Sequence, residues 1–499
     1  MSDQMYLYLA LAIYFAGMLL IGYFAARRTK DHEDYMLAGR NLPPWAAALS
    51  AGASDMSGWL VMGLPGAIYA AGLIEAWIAV GLMIGAYLNW LLVAPRLRAY
   101  TEVSNNSITV PSFLENRLKD TSHVIRILSA VIILIFFTLY ISSGMVAGGV
   151  FFESSFNGAY ISGMLLVTVV TLTYTMFGGF LGASLTDVAQ GIMMLTALIV
   201  VPIVAVSTLG GFGEVGQILD EMGPTHLSLT EGKGLTGATF IAIVSAMAWG
   251  LGYFGQPHIV VRFMALPSPA AARPARRIGM TWMIASMIGA LAAGLVGFAY
   301  FNGSGNPLAN PETVVLQMSQ ILLHPIVAGF VLAAVLAAIM STISSQLVVC
   351  SSALVEDLYR VLQKEPPPPA RLTMLGRVCT LAVAVVAAVL AISPNDSILG
   401  LVSFAWAGFG SSFGPIILLS LFWRGLTRAG ALAGMATGAI IVFTWGLLGT
   451  GIYELLPGFI GAFAVAVIVS RITARANPEI DREFSETAEF VAGRVPTAG

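Results

Sequence analysis

The chain reads as an all-α polytopic membrane protein of about 13 spans, and three observations lead there. Its mean hydropathy is +0.84. Of its 499 residues 57% are hydrophobic and only 10% charged, where soluble domains carry roughly 25% charge. It holds a succession of apolar runs, each long enough for the ~20 residues that a helix needs to cross hydrocarbon. Once those runs are threaded, every one of the 24 Lys and Arg residues except Lys233 falls on one side. A run missed or invented would flip all later loops and scramble that asymmetry.

The first run, about residues 5–25, is followed rather than preceded by Arg27, Arg28 and Lys30. It also exceeds the ~7–15 apolar residues of a signal core, so it is expected to be retained. The later runs lie near 45–71, 75–96, 127–150, 159–181, 188–209, 236–257, 279–300, 322–352, 376–393, 397–423, 431–448 and 453–471. The basic residues gather in 26–44, 96–126, 258–278, 353–377, 424–430 and the tail. That bias predicts an outside amino terminus and a cytoplasmic carboxyl terminus. One transmembrane domain is expected over 1–475, with a cytoplasmic tail at 476–499. TVPSFLENRL (Thr109–Leu118) reads as a short interfacial helix opened by Pro111, Pro366–Pro369 as a stiff spacer, and the polar tail after Asn477 as frayed.

Several functions are disfavoured. A net charge of −2 gives no sign of nucleic-acid binding. Cys350 and Cys379 sit in or beside apolar segments and read as packing thiols. No phosphate loop, HExxH, GxSxG or CxxC occurs, so neither ATP nor an enzyme's constellation of groups is expected.

Two runs break the rules of the bilayer. SAGASDMSGWLVMGLPG (Ser50–Gly66) puts Asp55, three serines and a cluster of Ala and Gly inside the second span. AWGLGYFGQPH (Ala248–His258) puts three glycines and Pro257 inside the seventh. Irregular backbone at membrane depth is tolerated only where protein or a water-lined cavity satisfies it. Transporters place broken helices at matching points of two repeats, near the midplane. Spans 2–6 (about 45–209) and 7–11 (about 236–423) would then be two five-helix repeats, each led by its broken member. Gly144 and Gly148 in span 4 read as close-packing glycines.

The ninth span ends VLAAIMSTISSQLVVCSS (Val335–Ser352), where Ala338, Ser341, Thr342 and Ser345 share one helical face. Freed carbonyls of span 2 and two hydroxyls suit a small hard cation, and so few neutral ligands suit a monovalent one. Trp59, Tyr140, Trp249 and Tyr253 lie towards the middle of their spans, where they could enclose a small apolar ring. Asp187 reads as a helix cap at the cytoplasmic start of span 6, Glu75 as a solvated end of span 3, and His258 as structural.

The two broken stretches and MSTISSQLVVCSSA (Met340–Ala353) closely resemble the sodium/solute symporter family, and within it the proline branch. The likeness covers roughly residues 6–475. It implies the LeuT-type five-plus-five inverted repeat with one peripheral helix before the core and two after. It also implies a co-transported sodium ion held by carbonyls of Ala53, Met56 and Ala338 and hydroxyls of Ser341 and Thr342. Asp55, Ser57 and Gly58 match positions that couple ion and substrate; Trp59, Tyr140, Trp249, Tyr253 and Pro257 would line an L-proline pocket. The implied activity is sodium-driven proline import across a bacterial inner membrane, with the lipid bilayer as the other partner. Another solute, protons as coupling ion, a passive channel or a membrane sensor remain as alternatives at this level.

Overall fold

A computed structural model describes residues 3–28, 37–223, 225–363, 368–394, 396–474 and 476–494. Every regular element among them is helical. Eleven helices are long and apolar enough to cross a membrane, and two shorter apolar ones, Trp59–Ala71 and Tyr160–Met176, complete the expected set.

Span 1 is Asp3–Arg28. Span 2 is in two pieces, Pro44–Asp55 and Trp59–Ala71. Span 3 runs over Leu73–Val103 and span 4 over Val124–Phe156. Spans 5 and 6 share one continuous run, Tyr160–Thr208, divided at Gly179, whose φ of 57° and ψ of −156° no helix contains. Only a residue without Cβ takes that conformation cheaply. Span 7 comprises Gly237–Met247, a tighter 3₁₀ turn at Ala248–Gly255, and Pro257–Met264. Spans 8 and 9 are Ala272–Gly303 and Pro325–Ser352. Spans 10 to 13 are Pro369–Ala391, Ile398–Phe422, Arg428–Trp445 and Leu455–Ile472.

Local chemistry sets many of these starts. Pro44, Pro257, Pro325 and Pro369 each occupy a first helical turn, where a missing N–H costs nothing. The side chains of Thr236, Ser397 and Thr427 accept the amides of Thr239, Gly400 and Gly430 as caps. Spans 3 and 7 meet backbone to backbone: a Cβ on Gly81 or Gly85 would be driven into Met247 or Gly250. Gly144 and Gly148 do the expected packing work against Ile343 and Val167. Cys350 and Cys379 are free thiols.

Four expectations need correction. Thr109–Leu118 is not a surface helix: helix Val110–Leu118, opened by a capping box at Thr109, is buried within the protein at every position but Asn116. The segment expected as loop 258–278 is helical as far as Met264, so Arg262 lies inside span 7. Span 6 starts at Gly179, which puts Asp187 two turns inside it and excludes the cap. The tail is not frayed either: Asn477 caps an amphipathic helix, Pro478–Val491, whose Glu479 and Glu483 both pair with Lys119 (2.8 and 2.5 Å). Glu75 stands in a single turn at the head of span 3, half-buried. Of the proline spacer, Pro366 and Pro367 lie outside the described residues, and Pro368 caps span 10.

Candidate functional site

The helix of span 2 stops at Asp55. Met56 turns away with φ −81° and ψ 81°, Gly58 leads into a wider π turn at Trp59–Gly63, and α-helix resumes at Leu64. The interruption releases carbonyls that a continuous helix would consume. That of Asp55 accepts the Ser57 amide (3.0 Å), the Trp59 indole (3.1 Å) and the Tyr140 hydroxyl (3.4 Å). Asp55 Oδ2 accepts the hydroxyl of Tyr253 from the unwound part of span 7.

Ala53 O, two residues earlier, faces span 9. The Ser341 hydroxyl stands between Ala53 O (2.8 Å) and Ala338 O (3.0 Å), and Thr342 Oγ1 lies 3.4 Å from the latter. One hydroxyl hydrogen cannot serve two carbonyls fully. Two carbonyls and two hydroxyls thus converge where spans 2 and 9 touch, an all-oxygen setting suited to a small hard cation. Met56 is fully buried at the same break.

Span 7 tightens to 3₁₀ from Ala248 to Gly255 and breaks at the extended Gln256, and its carbonyls take different side-chain donors. The Trp406 indole of span 11 donates to Trp249 O (2.8 Å), and the Asn89 amide of span 3 to Tyr253 O (2.9 Å). Around this segment stands a group of rings. Trp249 lies 6.2 Å from Trp59, 6.3 Å from Trp406 and 5.5 Å from Tyr453, and Tyr253 meets Trp406 edge-on at 5.2 Å. Tyr140, Trp59, Trp249, Tyr253 and Asp55 therefore share one neighbourhood. Pro257 does not join it: it opens the next helix and lines a cavity of about 30 Å³ with Thr109, Phe180 and Asp357. His258 packs edge-on against Phe137 and Tyr140, its ring nitrogens without hydrogen-bond partners.

Polar groupings lie on either side of the span 2 break, at Gly66 and at Ser50. On one side Glu312, in the connection between spans 8 and 9, packs its backbone over Gly66. Its carboxylate caps span 11 through the amides of Ile398 (3.1 Å) and Leu399 (3.2 Å). Burial pushes this carboxyl above its ordinary range even though those amides favour the charged form. On the other side Asp187, Arg262, Ser50 and Ser345 form a closed network. Arg262 Nη2 donates to Asp187 Oδ2 (2.9 Å) and Ser345 Oγ (2.7 Å), Arg262 Nε to Ser50 Oγ (2.9 Å), and Ser50 Oγ to Asp187 Oδ2 (2.7 Å). The polar face of span 9 is thereby divided: Ser341 and Thr342 serve the carbonyls, and Ser345, one turn on, serves the ion pair.

Sequence reasoning missed Asn89, Trp406, Tyr453 and the Asp187–Arg262 partnership. Trp406 carried a usable signal, since it sits mid-span in AWAGFGSSFGP, a stretch as rich in Gly and Ser as the two that were singled out.

Comparison with known proteins matches this architecture. The model of the sodium:solute symporter family covers residues 35–438. The chain is 52% identical over 471 residues to the high-affinity proline transporter PutP of Bacillus subtilis (strain 168), covering 94% of this chain and 98% of that one. It is 47% identical over 497 residues to a sodium/proline symporter of Staphylococcus aureus (strain NCTC 8325 / PS 47), covering 97% and 96%. Among solved structures, a substrate-bound, outward-open sodium-coupled sialic acid symporter superposes with a TM-score of 0.81 at 20% identity, over 95% of this chain and 99% of that one. A nucleobase-cation-symport-1 family transporter in a closed conformation gives 0.56 at 15% identity, over 92% and 98%.

Proposed function

The chain belongs to the sodium:solute symporter family, and we propose that it imports L-proline by sodium-driven alternating access in a bacterial plasma membrane. Relatives named as proline transporters, each aligned over nearly its whole length, support the substrate. The observation that carries the mechanism is the Ser341 hydroxyl shared between Ala53 O and Ala338 O, beside a break ringed by Trp59, Trp249 and Tyr253.

In this reading sodium enters between spans 2 and 9, takes the carbonyls of Ala53, Met56 and Ala338, and turns the hydroxyls of Ser341 and Thr342 into ligands. It thereby fixes the break in span 2 in its substrate-binding form. Asp55, Ser57 and Gly58 position the zwitterion, Trp59, Tyr140, Trp249 and Tyr253 cover its ring, and Pro257 sets the direction of the helix beyond. Spans 2–6 and 7–11 act as the two repeats, with spans 1, 12 and 13 peripheral. In this reading the amino terminus is outside and the tail helix cytoplasmic, which the bias of the basic loops supports.

One sodium carries one charge, because proline is neutral overall. At ~100 mV that charge gains about 2.3 kcal/mol, and a tenfold sodium gradient adds about 1.4 kcal/mol. Their sum, about 3.7 kcal/mol, supports roughly 500-fold accumulation without a nucleotide.

The test is radiolabelled proline uptake by the purified protein in vesicles, with and without an inward sodium gradient. Uptake above equilibrium is expected only with the gradient. Equal accumulation in choline at fixed pH would remove sodium as the driving ion, and no accumulation at all would favour a passive pathway. Trp249→Ala should raise the proline concentration for half-maximal uptake several-fold; an unaltered value would take that ring out of the pocket.

A further inference from the structure

The family resemblance makes span 13 a peripheral helix, yet its head reaches the group of rings. Tyr453 stands just before Leu455–Ile472 and is held at three points. Its hydroxyl donates to Ser403 O of span 11 (2.6 Å), and its amide donates to Ser245 Oγ in the first half of span 7 (3.2 Å). Its ring lies near-parallel to that of Trp249, tilted by 25° with centroids 5.5 Å apart. One turn after Ser403, Trp406 donates its indole N–H to Trp249 O and sets its own ring at 28° to that of Trp249. Trp249 therefore has two near-parallel neighbours, one from span 11 and one from the head of span 13. Its third, Trp59, belongs to the break in span 2.

The head of span 13 is itself fixed in place. Leu455 packs over Gly410, Phe459 over Gly414 and Ser411 over Gly458, and a Cβ on any of these glycines would be driven into the opposing side chain. The other side of Gly410 faces Gly252, inside the tightened stretch of span 7. A tyrosine has only two side-chain torsions. With its backbone keyed to span 11 and its hydroxyl pinned to Ser403 O, its ring backs Trp249 rigidly.

Rigidity of that kind bears on selectivity. An apolar pocket tells two rings apart by one methylene, typically ~10–200-fold, only if its walls do not yield. Resting on the proline reading above, we infer that Tyr453 is a positioning residue for substrate recognition. It holds Trp249 in place and so sets the ring size that the pocket accepts: the five-membered ring is taken and its six-membered homologue is refused.

Inhibition of radiolabelled proline uptake in vesicles by unlabelled L-proline and by L-pipecolate, the six-membered homologue, reads the selectivity as a ratio of half-inhibitory concentrations. The wild type is expected to favour proline by about tenfold or more. Tyr453→Leu removes the ring and should cut that ratio by about fivefold. Tyr453→Phe removes only the grip on Ser403 O and should cut it by about twofold. A purely structural part for Tyr453 would lower the rate of uptake and leave the ratio alone. A ratio unchanged in both variants overturns the inference, and if Tyr453→Leu does not fold, Tyr453→Phe alone decides it. A wild-type ratio near one overturns it as well. All of these leave the substrate reading standing, whereas a wild type that fails to accumulate proline overturns that reading and this inference with it.

Discussion

The breaks in spans 2 and 7 solve the same problem with different materials. In span 2 the helix is interrupted briefly; Ala53 O is met by the Ser341 hydroxyl of span 9, while Asp55 O takes the Ser57 amide, the Trp59 indole and the Tyr140 hydroxyl. In span 7 the helix tightens to 3₁₀ from Ala248 to Gly255 and breaks at Gln256, and the donors are the Trp406 indole and the Asn89 amide. A serine hydroxyl both donates and accepts, and rotates freely. It can give up a carbonyl to a cation and then join in as a ligand. An indole N–H only donates, on a large rigid plane. The Ala53–Ser341 contact of the first break is therefore built to answer an ion, and the indole- and amide-held second break to hold a shape.

Substitutions can separate the two behaviours, and the largest effect is expected where the breaks are tied together. Ser50 of span 2 and Arg262 of span 7 both bind Asp187. Arg262→Leu leaves that carboxylate buried without its cation, which should cost about 3–5 kcal/mol. Thermal unfolding in detergent reads it, and Asp187→Asn in the same chain should restore much of the loss. If the single variant is as stable as the parent, the network does not hold the half-helices Pro44–Asp55 and Pro257–Met264 together.

Next comes Trp406→Phe, which keeps the ring packing but removes the indole donor to Trp249 O, at a cost of about 0.5–1.5 kcal/mol. Half-saturation by proline should rise by roughly tenfold while that for sodium stays put. A sodium shift of equal size would erase the distinction drawn between the breaks. Thr342→Ala should do the reverse, weakening sodium activation by about 0.5–1.5 kcal/mol with little change in thermal stability. Unaltered sodium dependence would place the ion elsewhere.

The smallest effect is expected far from both breaks. Lys119→Ala removes the pairs to Glu479 and Glu483, worth about 0–1 kcal/mol at a partly exposed position. Protease access to the Pro478–Val491 helix should increase without a change in sodium affinity. A large transport defect would show that the tail is coupled to the broken helices.

The spans were legible because lipid imposes a rule that composition obeys everywhere: long apolar runs, with cations held on one side. The breaks were legible because Asp55 and Pro257 violate that rule in Gly-rich surroundings. What sequence could not show was partnership across the bundle. Asp187 and Arg262 are 75 positions apart, and each in isolation has a duller explanation as a cap or a loop cation. Asn89 is a single amide in an apolar run, and its meaning depends on Tyr253 of another span. The tail helix was readable and misjudged: Asn477 and Pro478 form an ordinary start signal, but acidic residues after it suggested solvent. The partners that dock the helix, Lys119 after Val110–Leu118 and Tyr100 of span 3, become visible only in three dimensions.

The glycine contact between spans 3 and 7 has a mechanical consequence. Gly81 and Gly85 offer nothing but main chain to Met247 and Gly250, so no side chain between them can be squeezed or repacked. A side chain at any of these glycines would wedge the two spans apart, so their crossing point is fixed by the bare main chain.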